Sequence, residues 1–111
     1  MRWRNIEISQ KTTKIYEIHF TKDEVAQDIT GWTIYFIVKE KMGDPDTSAV
    51  ITKEVTTHSN PTIGETEIEL LTSDTNITPG NYYYSIDYLD DSGNEGVLFQ
   101  GRLKIARRVR D

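Results

Sequence analysis

Glu65-Thr66-Glu67-Ile68-Glu69-Leu70-Leu71 alternates charged with uncharged side chains at a period of two, and that period decides the fold class. Successive side chains of a strand project to opposite faces, so Thr66, Ile68 and Leu70 share one face and Glu65, Glu67 and Glu69 the other. Three carboxylates on one face require water, which leaves the first set facing a core. The same period recurs upstream. Lys14 to Phe20 groups Tyr16, Ile18 and Phe20, and Trp32 to Val38 groups Trp32, Ile34, Phe36 and Val38 against Tyr35 and Ile37. Apolar residues on both faces of that stretch predict a strand in the interior of its sheet. Downstream, Tyr82 to Leu89 carries Tyr82, Tyr84, Ile86 and Tyr88 on one face. In the last strand Val97, Phe99, Gly101, Leu103 and Ile105 form the inward set. Shorter strands are predicted around Ile6 and Ile8 and over Val50 to Thr57.

Turn chemistry separates these segments. Gly43-Asp44-Pro45-Asp46, Ser59-Asn60-Pro61, Pro79-Gly80 and Asp90-Asp91-Ser92-Gly93-Asn94 supply fixed or positive φ and side chains that bond nearby backbone. Leu71 to Asn76 reads as one helical turn capped by Thr72 or Ser73. Seven short strands without a helix of useful length predict an all-β, seven-stranded antiparallel β-sandwich, one domain over residues 1–111. The composition agrees, because Ile 13, Val 6 and Thr 14 far outnumber Ala 3 and Leu 5. The expected core is Ile18, Phe20, Trp32, Ile34, Phe36, Val55, Ile68, Leu70, Tyr82, Tyr84, Ile86, Phe99, Leu103 and Ile105.

Several functions are excluded as first expectations. A net charge of −5 disfavours a surface that must neutralise many phosphates, so nucleic acid is not an expected partner. The absence of cysteine removes disulfides, thiolate catalysis and cysteine metal sites. No apolar run approaches the ~20 residues that span a bilayer, so no membrane contact is expected. The first residues lack the apolar segment of a secretory signal, which places synthesis in the cytoplasm.

The catalytic inventory is poor. His19 and His58 are the two histidines, with no Gly-x-Ser-x-Gly elbow and no paired-histidine spacing, and both read as ordinary surface residues. Asp87, Asp90, Asp91 and Glu95 cluster near the last hairpin, and Asp44 and Asp46 in the earlier loop. That arrangement lacks the spacing of a calcium loop and meets the simpler demands of turns. No catalytic residue, cofactor or metal is therefore expected. Tyr82 after Pro79-Gly80 is similar to the tyrosine corner of Greek-key sandwiches, whose hydroxyl bonds back to backbone. Tyr83 and Tyr35 are left as the exposed rings of a weak carbohydrate platform.

The chain ends carry the remaining signal. Arg2, Trp3 and Arg4 put an aromatic ring between two guanidinium groups, a mix enriched at protein interfaces. Arg107, Arg108 and Arg110 form a basic tail. These six residues are the expected partner contacts, homo-oligomers included. Arg102 and Lys104 are expected to pair with the Glu65, Glu67 and Glu69 face or with a partner's acids.

The order Gly31-Trp32-Thr33-Ile34-Tyr35-Phe36-Ile37-Val38-Lys39, an aspartate-rich loop, Ile51-Thr52-Lys53-Glu54-Val55, Leu70-Leu71-Thr72-Ser73-Asp74-Thr75 and Pro79-Gly80-Asn81-Tyr82-Tyr83-Tyr84-Ser85-Ile86-Asp87 resembles the N-terminal domain of upper baseplate proteins from tailed phages. Gly93-Asn94-Glu95 and Gln100-Gly101-Arg102-Leu103-Lys104-Ile105 fit the same pattern, so the likeness runs from about Tyr16 to Ile105. It implies an immunoglobulin-like sandwich, a non-enzymatic place in a virion tail, other virion proteins as partners and no catalytic residues. Such domains usually head a longer polypeptide, whereas this chain stops at Asp111. The competing expectation is a carbohydrate-binding module that contacts cell-wall saccharides.

Overall fold

Each alternating stretch forms a strand with its apolar side turned to a common interior. The computed structural model of the chain describes residues 2–110, apart from the Arg2 side chain. The strands are β1 (Arg2–Trp3), β2 (Ile6–Ser9), β3 (Lys14–His19), β4 (Thr21–Lys22), β5 (Val25–Ala26), β6 (Thr33–Lys39), β7 (Ile51–Val55), β8 (Glu65–Leu70), β9 (Gly80–Leu89) and β10 (Glu95–Ala106). Seven of these ten run to four residues or more. The large sheet has the order β1-β10-β9-β6-β7, with β2 also on the edge of β10, and the small sheet is β3-β8. Strand β6 lies between β9 and β7, where its two apolar faces placed it.

One edge departs from the expected antiparallel pattern. Both β1 and β2 run parallel to β10. A hairpin forces antiparallel pairing, but Asn5 and Arg102 meet across 97 residues of sequence and no short turn constrains their direction. The polar stretch after Phe20 holds a second surprise, a ribbon of β4 and β5. Asp23 and Glu24, at φ 53° and 66°, supply the two left-handed positions of its turn.

The core draws on both sheets. Ile18, Ile68 and Leu70 come from the small sheet, and Ile34, Phe36, Tyr84, Ile86, Leu103 and Ile105 from the large one. Phe20 and Tyr82 are buried as expected, and Ile8, Ile29, Val38 and Ile51 join them. Trp32, Val55 and Phe99 are only half-buried, a correction of the expected core. Trp32 precedes β6 at one end of the large sheet. There it stacks on Tyr88 at 5.1 Å and meets the edge of Phe20 at 5.6 Å, with one side still open. Val97 is also corrected. The pairing of β10 with β9 shifts between Val97 and Phe99, so Val97 lies opposite outward Asp87 and is exposed. A one-residue bulge reverses the face of every residue beyond it.

The sheets are tied together at their turns. The helical turn α1 (Thr72–Thr75) is preceded by Leu71, not capped by Thr72 or Ser73. Asp74 reaches back instead, its Oδ2 accepting from the Leu71 N–H at 2.7 Å and from Lys53 Nζ of β7 at 2.7 Å. The buried Thr75 hydroxyl donates to the Thr12 carbonyl at 2.7 Å and accepts the Thr12 N–H at 2.9 Å. The Tyr82 hydroxyl donates to the Thr78 carbonyl at 2.5 Å, the corner bond its position predicted.

Two outcomes follow from this packing. Phe36 is fully buried, so Phe36→Ala should cost ~3–5 kcal/mol and lower the urea midpoint accordingly. Burial alone would raise the Asp74 carboxyl, but the Lys53 ammonium and the Leu71 N–H outweigh it and hold it below the ordinary value. The folded state thus favours the ionised form. Its stabilisation is complete above the unfolded carboxyl's pKa of ~4 and is lost as pH falls through the lower folded value. Between about pH 6 and about pH 2, Asp74→Asn should therefore lose less stability than the parent chain in matched urea titrations.

Candidate functional site

The N-terminal arm is held to β10 mainly through backbone. The Arg4 N–H donates to the Gln100 carbonyl at 2.9 Å, and the Arg102 N–H donates to Asn5 Oδ1 at 3.2 Å, which bridges the gap between β1 and β2. On the core side the Tyr84 hydroxyl donates to the Arg4 carbonyl at 2.6 Å. That carbonyl lies so close to Gly101 that a Cβ there would stand 2.1 Å from its oxygen. Glycine is required at 101 by this approach.

The expected partner contacts fall into two separate groups. Trp3 lies opposite Gln100 and is 51% exposed, and Arg4 beside it is exposed. The backbone of Arg2 lies opposite Phe99, while its side chain is outside the described residues, as are Met1 and Asp111. Arg107 and Arg110 are exposed beyond the far end of β10, roughly 23 Å from Trp3 at ordinary strand rise. Arg108 is half-buried, and its Nη1 donates to the Lys11 carbonyl at 2.6 Å. Lys11, Gln10 and the three arginines border a cleft of about 160 Å³.

A second surface emerges from the register of the large sheet. Its outer face carries Tyr35 and Ile37 of β6, Tyr83, Ser85 and Asp87 of β9, and Val97, Gln100 and Arg102 of β10. Ile37, Met42, Tyr83, Ser85 and Gln100 line a groove of about 270 Å³. A neighbouring depression, bounded by Tyr35, Ile37, Asp87 and Val97, continues it. Ser85 donates its hydroxyl to Asp87. Lys39 is held by Asp46 Oδ1 at 2.6 Å and the Asp44 carbonyl at 2.7 Å, and the Arg102 guanidinium lies over the Tyr83 ring at 5.8 Å. Tyr35 and Tyr83, expected as exposed rings, do lie on this outer face but are half-buried there. Val97 and Met42 are not legible in the sequence, because a bulge turns one outward and a loop brings in the other.

The small sheet turns acids outward. Glu17 lies opposite Glu67, exposed Ile15 opposite Glu69, and His19 stands 3.7 Å from Glu65. Arg102 and Lys104 do not reach this face. Arg102 lies on Tyr83, and Lys104 stands 3.9 Å from Glu7, which corrects their expected pairing. Between the sheets a cleft of about 240 Å³ opens beside β3, lined by Tyr16, Ile18, Phe36, Ile86 and Phe99. Burial, with a contribution from Tyr84, pushes the Tyr16 hydroxyl up to about 12.

His58 is not an ordinary surface histidine. Its Nε2 must donate to the Trp32 carbonyl at 2.8 Å, so in the neutral ring Nδ1 accepts from the Thr66 hydroxyl at 2.8 Å. It clamps the 57–60 turn to β8 and to the residue that precedes β6. The last hairpin loop behaves as a turn. The backbone N–H of Asn94, above all, holds the Asp90 carboxyl below its ordinary value, aided by its side chain and by the Ser92 and Gly93 N–H groups. Among the described residues no three histidine or carboxylate groups converge as metal ligands.

The fold is all-β, a six-stranded sheet and the β3-β8 sheet with the β4-β5 ribbon beside them, and the outer face of the large sheet mixes apolar and charged groups. No protein-family model matches the chain, and no curated protein matches it. Among solved structures, that of murine CRIg is similar over 94% of this chain and 92% of its own length, at 9% identity and a TM-score of 0.41. At that distance the likeness carries no functional information.

Gly101→Ala tests the seat of the arm. The added methyl must displace the Arg4 carbonyl, breaking its bond from Tyr84. We expect a loss of ~1–3 kcal/mol and faster amide exchange confined to residues 2–9 and their partners on β10. Unchanged exchange in the arm would contradict this account.

Proposed function

We propose that this chain is a non-enzymatic assembly module of a phage tail, an immunoglobulin-like sandwich of seven principal strands that joins virion proteins. The observation that carries the reading is the outermost strand of the large sheet. A partly exposed Trp3 and an exposed Arg4 sit on an arm held chiefly by backbone bonds, so their side chains are left for a partner. The order of strand-and-turn motifs from Gly31 to Ile105 supports the family reading. The parallel arm and the Tyr82 corner support the finer fold description. In this reading the partners are other virion proteins, and no step of chemistry is assigned to any residue.

The test is localisation. Antibody raised against the purified chain should decorate the tail tips of particles released by cells carrying its gene, seen by immunogold electron microscopy. Particles that remain undecorated while the chain stays in the cell fraction would overturn the reading.

One observation favours a second reading, a saccharide-binding module. Tyr35 and Tyr83 lie on the same face, on either side of Ile37 and Ser85. Titration calorimetry with cell-wall saccharides separates the two. Saturable binding lost in Tyr83→Ala supports the saccharide reading, and the absence of heat with any saccharide removes it.

A further inference from the structure

The outer face of the large sheet is ordered by charge as well as by shape. Register sets Arg102, Tyr83 and Lys39 in one row, Gln100, Ser85 and Ile37 in the next, and Val97, Asp87, Tyr35 and Glu54 in the third. Lys104 lies beyond the first row and Glu95 beyond the third. Lys39 is matched by Asp46, and Lys104 stands near Glu7. Among the described residues Arg102 has no carboxylate within ion-pair distance, and Asp87, Glu54 and Glu95 have no cation. The face therefore presents an uncompensated cation at one end, a partly apolar middle around Ile37, and uncompensated carboxylates at the other end.

We propose that this face binds a second copy of the same chain. A two-fold axis lying in the face, across the strands at the Ser85–Ile37 row, turns each first row onto the other copy's third row. Arg102 of one copy then lies over Val97 of the other, with Asp87 on the adjoining strand within reach of its long side chain, twice per dimer, while Ile37, Val97 and Tyr83 lose water. A two-fold contact must be complementary to itself, and a face with opposite charge at its two ends meets that condition. At ordinary strand spacing and rise, the patch measures roughly 19 by 27 Å, the scale of a modest interface. Exposed apolar groups gathered on one patch supply the favourable burial. This proposal stands whether or not the chain belongs to a virion.

Charge exchange followed by sedimentation velocity across protein concentration tests it. The parent chain is expected to dimerise. Arg102→Glu alone, or Asp87→Arg alone, should weaken the dimer by about tenfold or more. Mixing the two variants in equal amounts should restore it as a heterodimer, because each chain brings the charge that the other lacks. Both substitutions lie on the sheet surface, and circular dichroism checks that the strands persist. A parent chain that stays monomeric up to millimolar concentration overturns the proposal. So does a dimer indifferent to both substitutions, a mixture that stays monomeric, or a dimer abolished by removing residues 1–5 while both charge variants still dimerise. Saccharide bound at this face by a monomeric parent chain likewise overturns it.

Discussion

Strand β9 is hydrogen-bonded along both edges, to β10 on one side and β6 on the other, and its register is the constraint on which the rest of the molecule depends. Its inward residues each organise a different region. Tyr82 closes the turn before it, Tyr84 holds the N-terminal arm, Ile86 fills the core, and Tyr88 stacks on Trp32 at one end of the large sheet. Its outward residues Tyr83, Ser85 and Asp87 form the middle of the exposed face. Slipping β9 by one residue would exchange these sets, burying a carboxylate and exposing three tyrosine rings. A buried charge without a partner costs several kcal/mol, so the register has no near competitor.

Polar bonds supply what alternation alone does not. Two sheets in contact through aliphatic side chains fit tolerably at several displacements, whereas a bond of fixed length and direction selects one. Lys53 with Asp74, Thr75 with Thr12, and His58 with both Trp32 and Thr66 join the turns to the sheets at separate points. All of these bonds except that between His58 and Thr66 link residues distant in sequence. They narrow the native state to one relative placement of the sheets, and that placement sets the shape of the exposed grooves.

The surface divides into regions with different physical character. The outer face of β3 and β8 is acidic, with Glu17 directly opposite Glu67, an arrangement that is mildly unfavourable and argues for a solvated surface. The opposite face of the molecule mixes apolar groups with separated charges of both signs. The tail arginines form a third region, partly satisfied from within because Arg108 serves the Lys11 carbonyl. A net charge of −5 therefore hides a polarity that matters more to recognition than its total.

Period-two alternation determined the all-β class and the longer strands from the sequence, though not the two-residue strands β1, β4 and β5, because the side-chain period of a strand is local and requires no knowledge of partners. Turn residues located the breaks for the same reason. The tyrosine corner was legible too, since Tyr82 bonds to a carbonyl only four residues away. What only the tertiary structure decided were relations between distant residues. They include the parallel seat of the arm on β10, the close approach of Arg4 to Gly101, the His58 clamp, and the bulge that turns Val97 outward. The same limit applied to the candidate surface. Trp3 and its arginines could be picked out by residue type, but the face shared by Ile37, Tyr83, Asp87 and Arg102 exists only once β6, β9 and β10 are set in register. Pairing between strands depends on the sum of all their contacts, and no short stretch of sequence contains that sum.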